Sequence, residues 1–207
     1  MGTAQACVSV VDDDAMVLKS LGRLLQSAGY AVQTFSSGQD FLTHPDGGAP
    51  GCIVIDLSMP DLSGLELQQA LAKKADRRPV VFISGAGSIA ASVAAMKAGA
   101  IDFLTKPFEA SQLLGVISAA VERDRSSRGA QTERAAVQAR LATLTRRERE
   151  VLELVVAGKL NKQIAAALGT AEKTVKVHRA RMMRKMQVDS LAGLVRAWTF
   201  IQLPSAS

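Results

Sequence analysis

Four short apolar runs in this chain each end against residues that carry chemistry. Val8 to Val11 leads into Asp12-Asp13-Asp14, and Gly51 to Ile55 leads into Asp56. Val80 to Ile83 leads into Ser84, and Ile101 to Leu104 into Thr105-Lys106-Pro107. Runs of this length, rich in Val and Ile and bounded by turn residues, read as strands buried on both faces. Ala31 to Phe35 adds a fifth strand. Helical patterns separate them at Ala15 to Ala28, Gly38 to Thr43, Gly64 to Lys73 and Ser88 to Ala98, with another at Glu109 to about Arg123. Alternation of five strands with five helices predicts an α/β fold, a doubly wound parallel five-stranded sheet with helices on both faces. Ligands of such sheets meet the carboxyl ends of the strands. Three acids, a hydroxyl and an amine would therefore share one rim.

The rest of the chain has another character. Residues 1 to 122 hold 8 Lys/Arg and 12 Asp/Glu, whereas residues 123 to 207 hold 17 and 7. A basic half joined to an acidic half points to a polyanionic partner for the second half alone. Between them, Arg123 to Ala142 is rich in Arg, Gln, Ser and Ala and reads as a partly helical linker, least helical at Ser126-Ser127-Arg128-Gly129. Four short helices follow. Thr145-Arg146-Arg147-Glu148 forms a capping box, Asn161 is placed to cap a second helix, a third runs from Glu172 to about Met186, and Ser190 caps a fourth bearing Trp198.

No stretch approaches the roughly 20 apolar residues of a membrane span. Met1-Gly2-Thr3-Ala4-Gln5 lacks the basic and apolar regions of a signal peptide, so a cytoplasmic protein without membrane partners is expected. Cys7 and Cys52 lie in predicted strands, and their spacing matches neither a zinc nor a CxxC motif.

Clustered carboxylates beside an amine can hold a hard cation such as Mg²⁺ (or Mn²⁺), or accept a phosphoryl group when metal and ammonium neutralise the developing charge. Asp12 and Asp13 would supply metal ligands, Asp56 the nucleophile, and Lys106 and Ser84 contacts to phosphoryl oxygens. Each alone has a plainer reading, since an Asp at a strand end often caps the next helix and a Lys is ordinarily a solvated charge. Their joint placement favours the chemical one.

These residues, with Ile55-Asp56-Leu57-Ser58-Met59-Pro60, Ser63-Gly64-Leu65-Glu66, Lys97-Ala98-Gly99-Ala100 and Lys106-Pro107-Phe108, resemble the receiver domain of bacterial two-component response regulators across residues 6–123. The resemblance implies the flavodoxin-like strand order 2-1-3-4-5, Asp56 as phosphoacceptor, and a metal held by Asp12, Asp13, Asp56 and the Ser58 main-chain carbonyl. It also implies a cis Lys106-Pro107 bond, with Ser84 and Phe103 as switch residues where Thr and Tyr are more often found. Phe103 lacks a hydroxyl, so any movement of its ring would be governed by packing.

At about 100° per residue, the third helix of the basic half places Val175, Arg179, Met182 and Met186 on one packing stripe. Lys173, Lys176, Val177, Ala180, Arg181 and Arg184 then face outward, a mixture of cations and small apolar groups suited to a duplex groove. A solvated charged helix is the alternative. The sequence from Leu144 through Asn161-Lys162-Gln163-Ile164-Ala165 to Lys173-Thr174-Val175-Lys176-Val177-His178-Arg179 resembles the LuxR-type helix-turn-helix domain, over a region 139–207 that follows a linker at 124–138. That implies a bihelical unit from Asn161 to Ala180. Lys176, Val177, Ala180 and Arg181 would meet bases or nearby phosphates, Lys162, Thr174 and His178 the backbone, and Asn161 is placed among the DNA-binding residues. Arg179, on the inner stripe, reads as structural.

The combination is that of a FixJ-like response regulator. It implies a sensor histidine kinase, homodimerisation on phosphorylation, double-stranded promoter DNA and RNA polymerase as partners, and no enzymatic activity beyond self-phosphorylation and self-dephosphorylation at Asp56. Two rivals remain at this point: a phosphohydrolase, which would want an acid where Ser58 stands, and a regulator whose DNA binding ignores phosphorylation.

Overall fold

The computed structural model describes residues 5–44, 48–85 and 89–203. Five strands, β1 (Cys7–Val11), β2 (Ala31–Phe35), β3 (Gly51–Asp56), β4 (Val80–Ser84) and β5 (Asp102–Thr105), form one parallel sheet in the order β2-β1-β3-β4-β5. Helices α1 (Ala15–Ser27), α2 (Gly38–Thr43), α3 (Gly64–Lys73), α4 (Ile89–Lys97) and α5 (Ala110–Ala142) alternate with them. Because successive side chains of a strand point to opposite faces, the continuous apolar runs feed two cores. Val8, Val10, Cys52 and Val54 pack with Leu21 and Leu25 of α1 and Leu113 and Ile117 of α5. Val11, Ile53 and Ile55 pack on the other side with Phe41, Leu67 and Leu71 of α2 and α3. Both cysteines are free thiols. Cys52 lies in the first core, where burial pushes its pKa up to about 12.

The strand order switches direction at β1: the chain passes through α1 to β2 on one side and then returns from β2 through α2 to β3 on the other. Val11 is in register with Ile55, so the next residues, Asp12 and Asp56, leave the sheet side by side. Two glycines bracket β3. A β-carbon at Gly51 would collide with the Cys7 carbonyl oxygen, and one at Gly64 would lie 2.5 Å from the Asp56 carbonyl oxygen. Any side chain at either position would push the strand away from its neighbours.

The described residues divide into two compact units, Met1–Arg128 and Gly129–Ser207, and the boundary lies inside α5. The expected weakening of helix at Ser126-Ser127-Arg128-Gly129 does not occur, and α5 continues to Ala142. Tertiary bonds outweigh composition here. Asp124, almost fully buried, accepts from the Gly51 N–H at 2.9 Å and from Arg128 Nε, one helical turn on, at 2.7 Å. The single Gly129 costs only about 1 kcal/mol relative to Ala.

In the second unit α6 (Arg146–Val156), α7 (Asn161–Ala167), α8 (Glu172–Met186) and α9 (Leu191–Gln202) enclose a core that includes Val151, Leu152, Ile164, Val175, Met182 and Leu194. The capping box at Thr145 and Glu148 is formed, and Ser190 caps α9 through the Gly193 N–H. Asn161 is not a cap. Leu160 holds that position and donates its N–H to Gln163 Oε1 at 2.9 Å, because the Asn161 side-chain oxygen accepts from Arg179 instead. Ala171 precedes α8 without a side-chain acceptor. Trp198 is half-buried against the core.

Glu148 joins three helices. Its Oε2 accepts from Lys185 Nζ of α8 at 2.6 Å and from the Thr145 N–H at 2.8 Å, while Lys185 also donates to the Thr143 carbonyl at the end of α5. Burial alone would raise the Glu148 pKa, but the Lys185 and Thr145 hydrogen bonds outweigh it and hold the carboxyl below the usual range. A depressed folded-state pKa contributes stability above the unfolded value of about 4.3, and this is lost as pH falls through the folded value. Glu148→Gln should destabilise the second unit at pH 7 by roughly 2 kcal/mol. Thermal denaturation between pH 7 and pH 3 should show the variant losing less stability on acidification than the parent chain.

Candidate functional site

At the carboxyl end of the sheet two buried acids meet one ammonium. Asp12 is 1% and Asp56 5% exposed. Lys106 Nζ lies 2.8 Å from Asp12 Oδ2 and 2.7 Å from Asp56 Oδ1. Main-chain donors hold the remaining oxygens. The Asp14 N–H donates to Asp12 Oδ1 at 2.9 Å and the Ser58 N–H to Asp56 Oδ2 at 2.7 Å. Lys106 is delivered by β5, whose pairing with β4 continues as the Lys106 N–H donates to the Ser84 carbonyl at 2.7 Å. The Lys106-Pro107 bond is cis.

Burial raises the Asp12 pKa more than the Lys106 hydrogen bond lowers it. For Lys106, burial works downward, but the hydrogen bonds and charges of Asp12 and Asp56 together raise its pKa. The ammonium is therefore firmly protonated, and its charge lowers the cost of holding two carboxylates in a poorly solvated place.

The three-acid run divides its labour. Asp12 is buried, Asp13 is exposed, and Asp14 caps α1 by accepting from the Met16 N–H at 2.7 Å and the Val17 N–H at 3.4 Å. The cap was legible as an acid just ahead of a helical pattern. Ser84 ends β4 fully buried. Phe103 is half-buried against the second core and in register with Phe82. Ala86, Gly87 and Ser88 lie outside the described residues.

In the second unit the stripe drawn from helical geometry is the packing face. Val175, Met182 and Met186 are buried and Arg179 is half-buried. Lys173, Thr174, Lys176, Val177, Ala180, Arg181 and Arg184 are exposed, Lys162 of α7 likewise, and His178 is half-buried. Lys176 pairs with Glu172 at 3.5 Å across one turn. Exposed pairs of this kind are weak and easily exchanged for another anion.

Residues 8–118 match the response regulator receiver domain, and residues 142–198 match the luxR family of bacterial regulatory proteins. The chain is a LuxR-type response regulator. This regulator is 42% identical over 196 residues to the response regulator protein TodT of Pseudomonas putida, a match covering 95% of this chain and 86% of TodT. It is 39% identical over 194 residues to the transcriptional regulatory protein FixJ of Bradyrhizobium diazoefficiens, covering 94% and 95%. Its structure is similar to that of the response regulator StyR, with a TM-score of 0.87 and 45% identity over 95% of this chain and 99% of that one. The regulator carries a receiver and a DNA-binding domain, and none of its described helices is long and apolar enough to cross a membrane.

The acids of the regulator suit a hard cation. Mg²⁺ takes oxygen ligands, commonly one or two carboxylates with water and phosphate. Asp12 and Asp56 provide two adjacent anionic donors. Among the described residues no three acid, His or Cys side chains form a metal cluster. Asp124 and the Asn161–Arg179 pair escaped the sequence reading. Asp124 left one signal, an Arg four residues on; Asn161 and Arg179 sit on different helices and left none.

Lys106→Met in the metal-free regulator would leave two buried carboxylates without their cation. Denaturant unfolding at pH 7 should show a loss on the order of 2–3 kcal/mol, below the 3–5 kcal/mol typical of a fully buried pair because the ammonium is partly solvated. With the cation gone the Asp12 pKa, already raised by burial, loses the Lys106 contacts that lower it and rises further. The deficit should therefore narrow as pH falls and the carboxyls protonate.

Proposed function

We propose that a sensor histidine kinase phosphorylates Asp56, and that the phosphoryl group controls pairing of two copies and their binding to promoter DNA. The observation that carries this reading is the Asp56 carboxylate, held at a buried strand end between the Lys106 ammonium and the Ser58 N–H. An Asp56 oxygen attacks phosphorus, an O–P bond forms, and the N–P bond to the kinase imidazole breaks with its electron pair leaving on the ring nitrogen. Lys106 neutralises charge on the phosphoryl oxygens, and the Ser84 hydroxyl contacts one of them. Mg²⁺ or Mn²⁺, held by Asp12, Asp13, Asp56 and the Ser58 main-chain carbonyl, supplies further charge neutralisation when bound.

Ser84, Phe103 and Pro107 adjust to the new charge, and a receiver that favours its dimer when phosphorylated turns that charge into a population shift. The receiver is assigned to residues 6–123 and the DNA-binding domain to 139–207. Lys176, Val177, Ala180 and Arg181 meet base edges or adjacent phosphates in the major groove, Lys162, Thr174 and His178 meet the backbone, and Asn161 belongs to the same DNA-facing set. The protein acts in the cytoplasm, at promoters engaged by RNA polymerase, and its only chemistry is gain and loss of the phosphoryl group at Asp56.

Incubation with acetyl phosphate and Mg²⁺ should add one phosphoryl group by mass spectrometry, promote dimerisation, and tighten binding to a promoter library. Asp56→Asn should show none of these, and a parent chain that gains phosphate with unchanged DNA affinity would sink the switch. Lys176→Ala and Arg181→Ala should each weaken DNA binding by about 1–3 kcal/mol if the side chain reads a base, with altered sequence preference. A uniform loss with a shallower salt slope marks a phosphate contact instead.

A further inference from the structure

Arg179 is half-buried on the packing stripe of α8, and among the described residues it has no acidic partner. Its one hydrogen bond runs from Nη1 to Asn161 Oδ1, at the start of α7, at 3.1 Å. A cation drawn partly out of water without a counter-charge is costly, and such cations are ordinarily paired. Elsewhere in the second unit Glu148 faces Lys185, Glu150 faces Arg146 and Arg147, and half-buried Arg134 donates to the Phe200 and Ile201 carbonyls. Arg179 has only the Asn161 oxygen.

The chemistry of the pair fixes the orientation of Asn161. A guanidinium only donates, so the asparagine atom facing it is the carbonyl oxygen, and the amide nitrogen is turned to the other side. Among the described residues that nitrogen has no hydrogen-bond partner, and Arg179 uses one of its five N–H groups. Two adjacent side chains, from the two helices of the helix-turn-helix, thus combine a positive charge with unengaged donors. The asparagine acceptor, which would repel an anion, is already occupied.

We propose that Asn161 and Arg179 form a preorganised subsite for one DNA backbone phosphate. Arg179 supplies the charge and also positions Asn161 so that its amide donates. The proposal rests on the reading of this unit as DNA-binding, and it gives Arg179 a ligand where helical geometry alone made it structural. A phosphate held from both helices would fix the entry of α8 into the groove independently of the exposed Lys176 and Arg181.

The test uses the full chain, phosphorylated with acetyl phosphate, and a mixed-sequence DNA duplex whose binding is followed by fluorescence anisotropy across a salt series. Arg179→Met should lower affinity about tenfold and reduce the slope of log affinity against log salt by about 0.9, the value for one phosphate. Asn161→Asp keeps an oxygen for Arg179 but turns an anion toward the phosphate. It should weaken binding at least as much while thermal stability is retained or raised. An Arg179→Met variant with an unchanged salt slope would overturn the proposal, as would an Asn161→Asp variant that binds like the parent chain. A parent chain that binds no duplex, while Lys176→Ala behaves identically, would remove the DNA-binding reading itself.

Discussion

One ammonium lies between two carboxylates at the end of a parallel sheet, and most of the receiver is organised to make that possible. Without Lys106, Asp12 and Asp56 would face each other across a poorly solvated gap. The sheet order brings them together, since β1 and β3 are neighbours and their last residues leave in register. The amine arrives from β5, at the edge, through a backbone bond to Ser84. A site assembled from three strands keeps its geometry only while the strands keep their pairing, so the two apolar cores serve the chemistry as well as stability.

What the sequence disclosed and what it hid divide along a physical line. Buried parallel strands are apolar on both faces and therefore stand out as unbroken runs, which is why β1, β3, β4 and the residues at their ends could be placed from composition and spacing. The length of α5 could not. Residues 124 to 142 are polar on most faces, and their fate is settled by Asp124 reaching Gly51 and by Val137 entering the core of the second unit, both long-range events. Asn161 is the same lesson in miniature, because local capping rules favoured one use of its oxygen and Arg179 claimed it for another. Helical periodicity separated the two faces of α8 well, since one face touches a core and the other touches nothing.

The division of charge between the halves also has a structural counterpart. In the receiver the functional charges are buried and neutralise each other locally, so little of their field reaches solvent. In the second unit the cations of α8 are exposed and thinly paired, which suits attraction of a polyanion over a distance of about a Debye length, near 8 Å at physiological salt. The first half holds its functional charges against one another. The second half advertises its charge.

The glycines that bracket β3 add a final point about how this molecule can fail. Neither Gly51 nor Gly64 carries a group that could bind, donate or accept through a side chain, yet a single methyl at Gly51 would press on the β1 backbone at Cys7, and one at Gly64 on the Asp56 carbonyl. A lesion there would be indistinguishable, in an assay of output alone, from loss of the Asp56 carboxylate itself. The genetic footprint of the site is therefore wider than its chemistry, and it includes two residues whose only contribution is to be absent from the space their neighbours need.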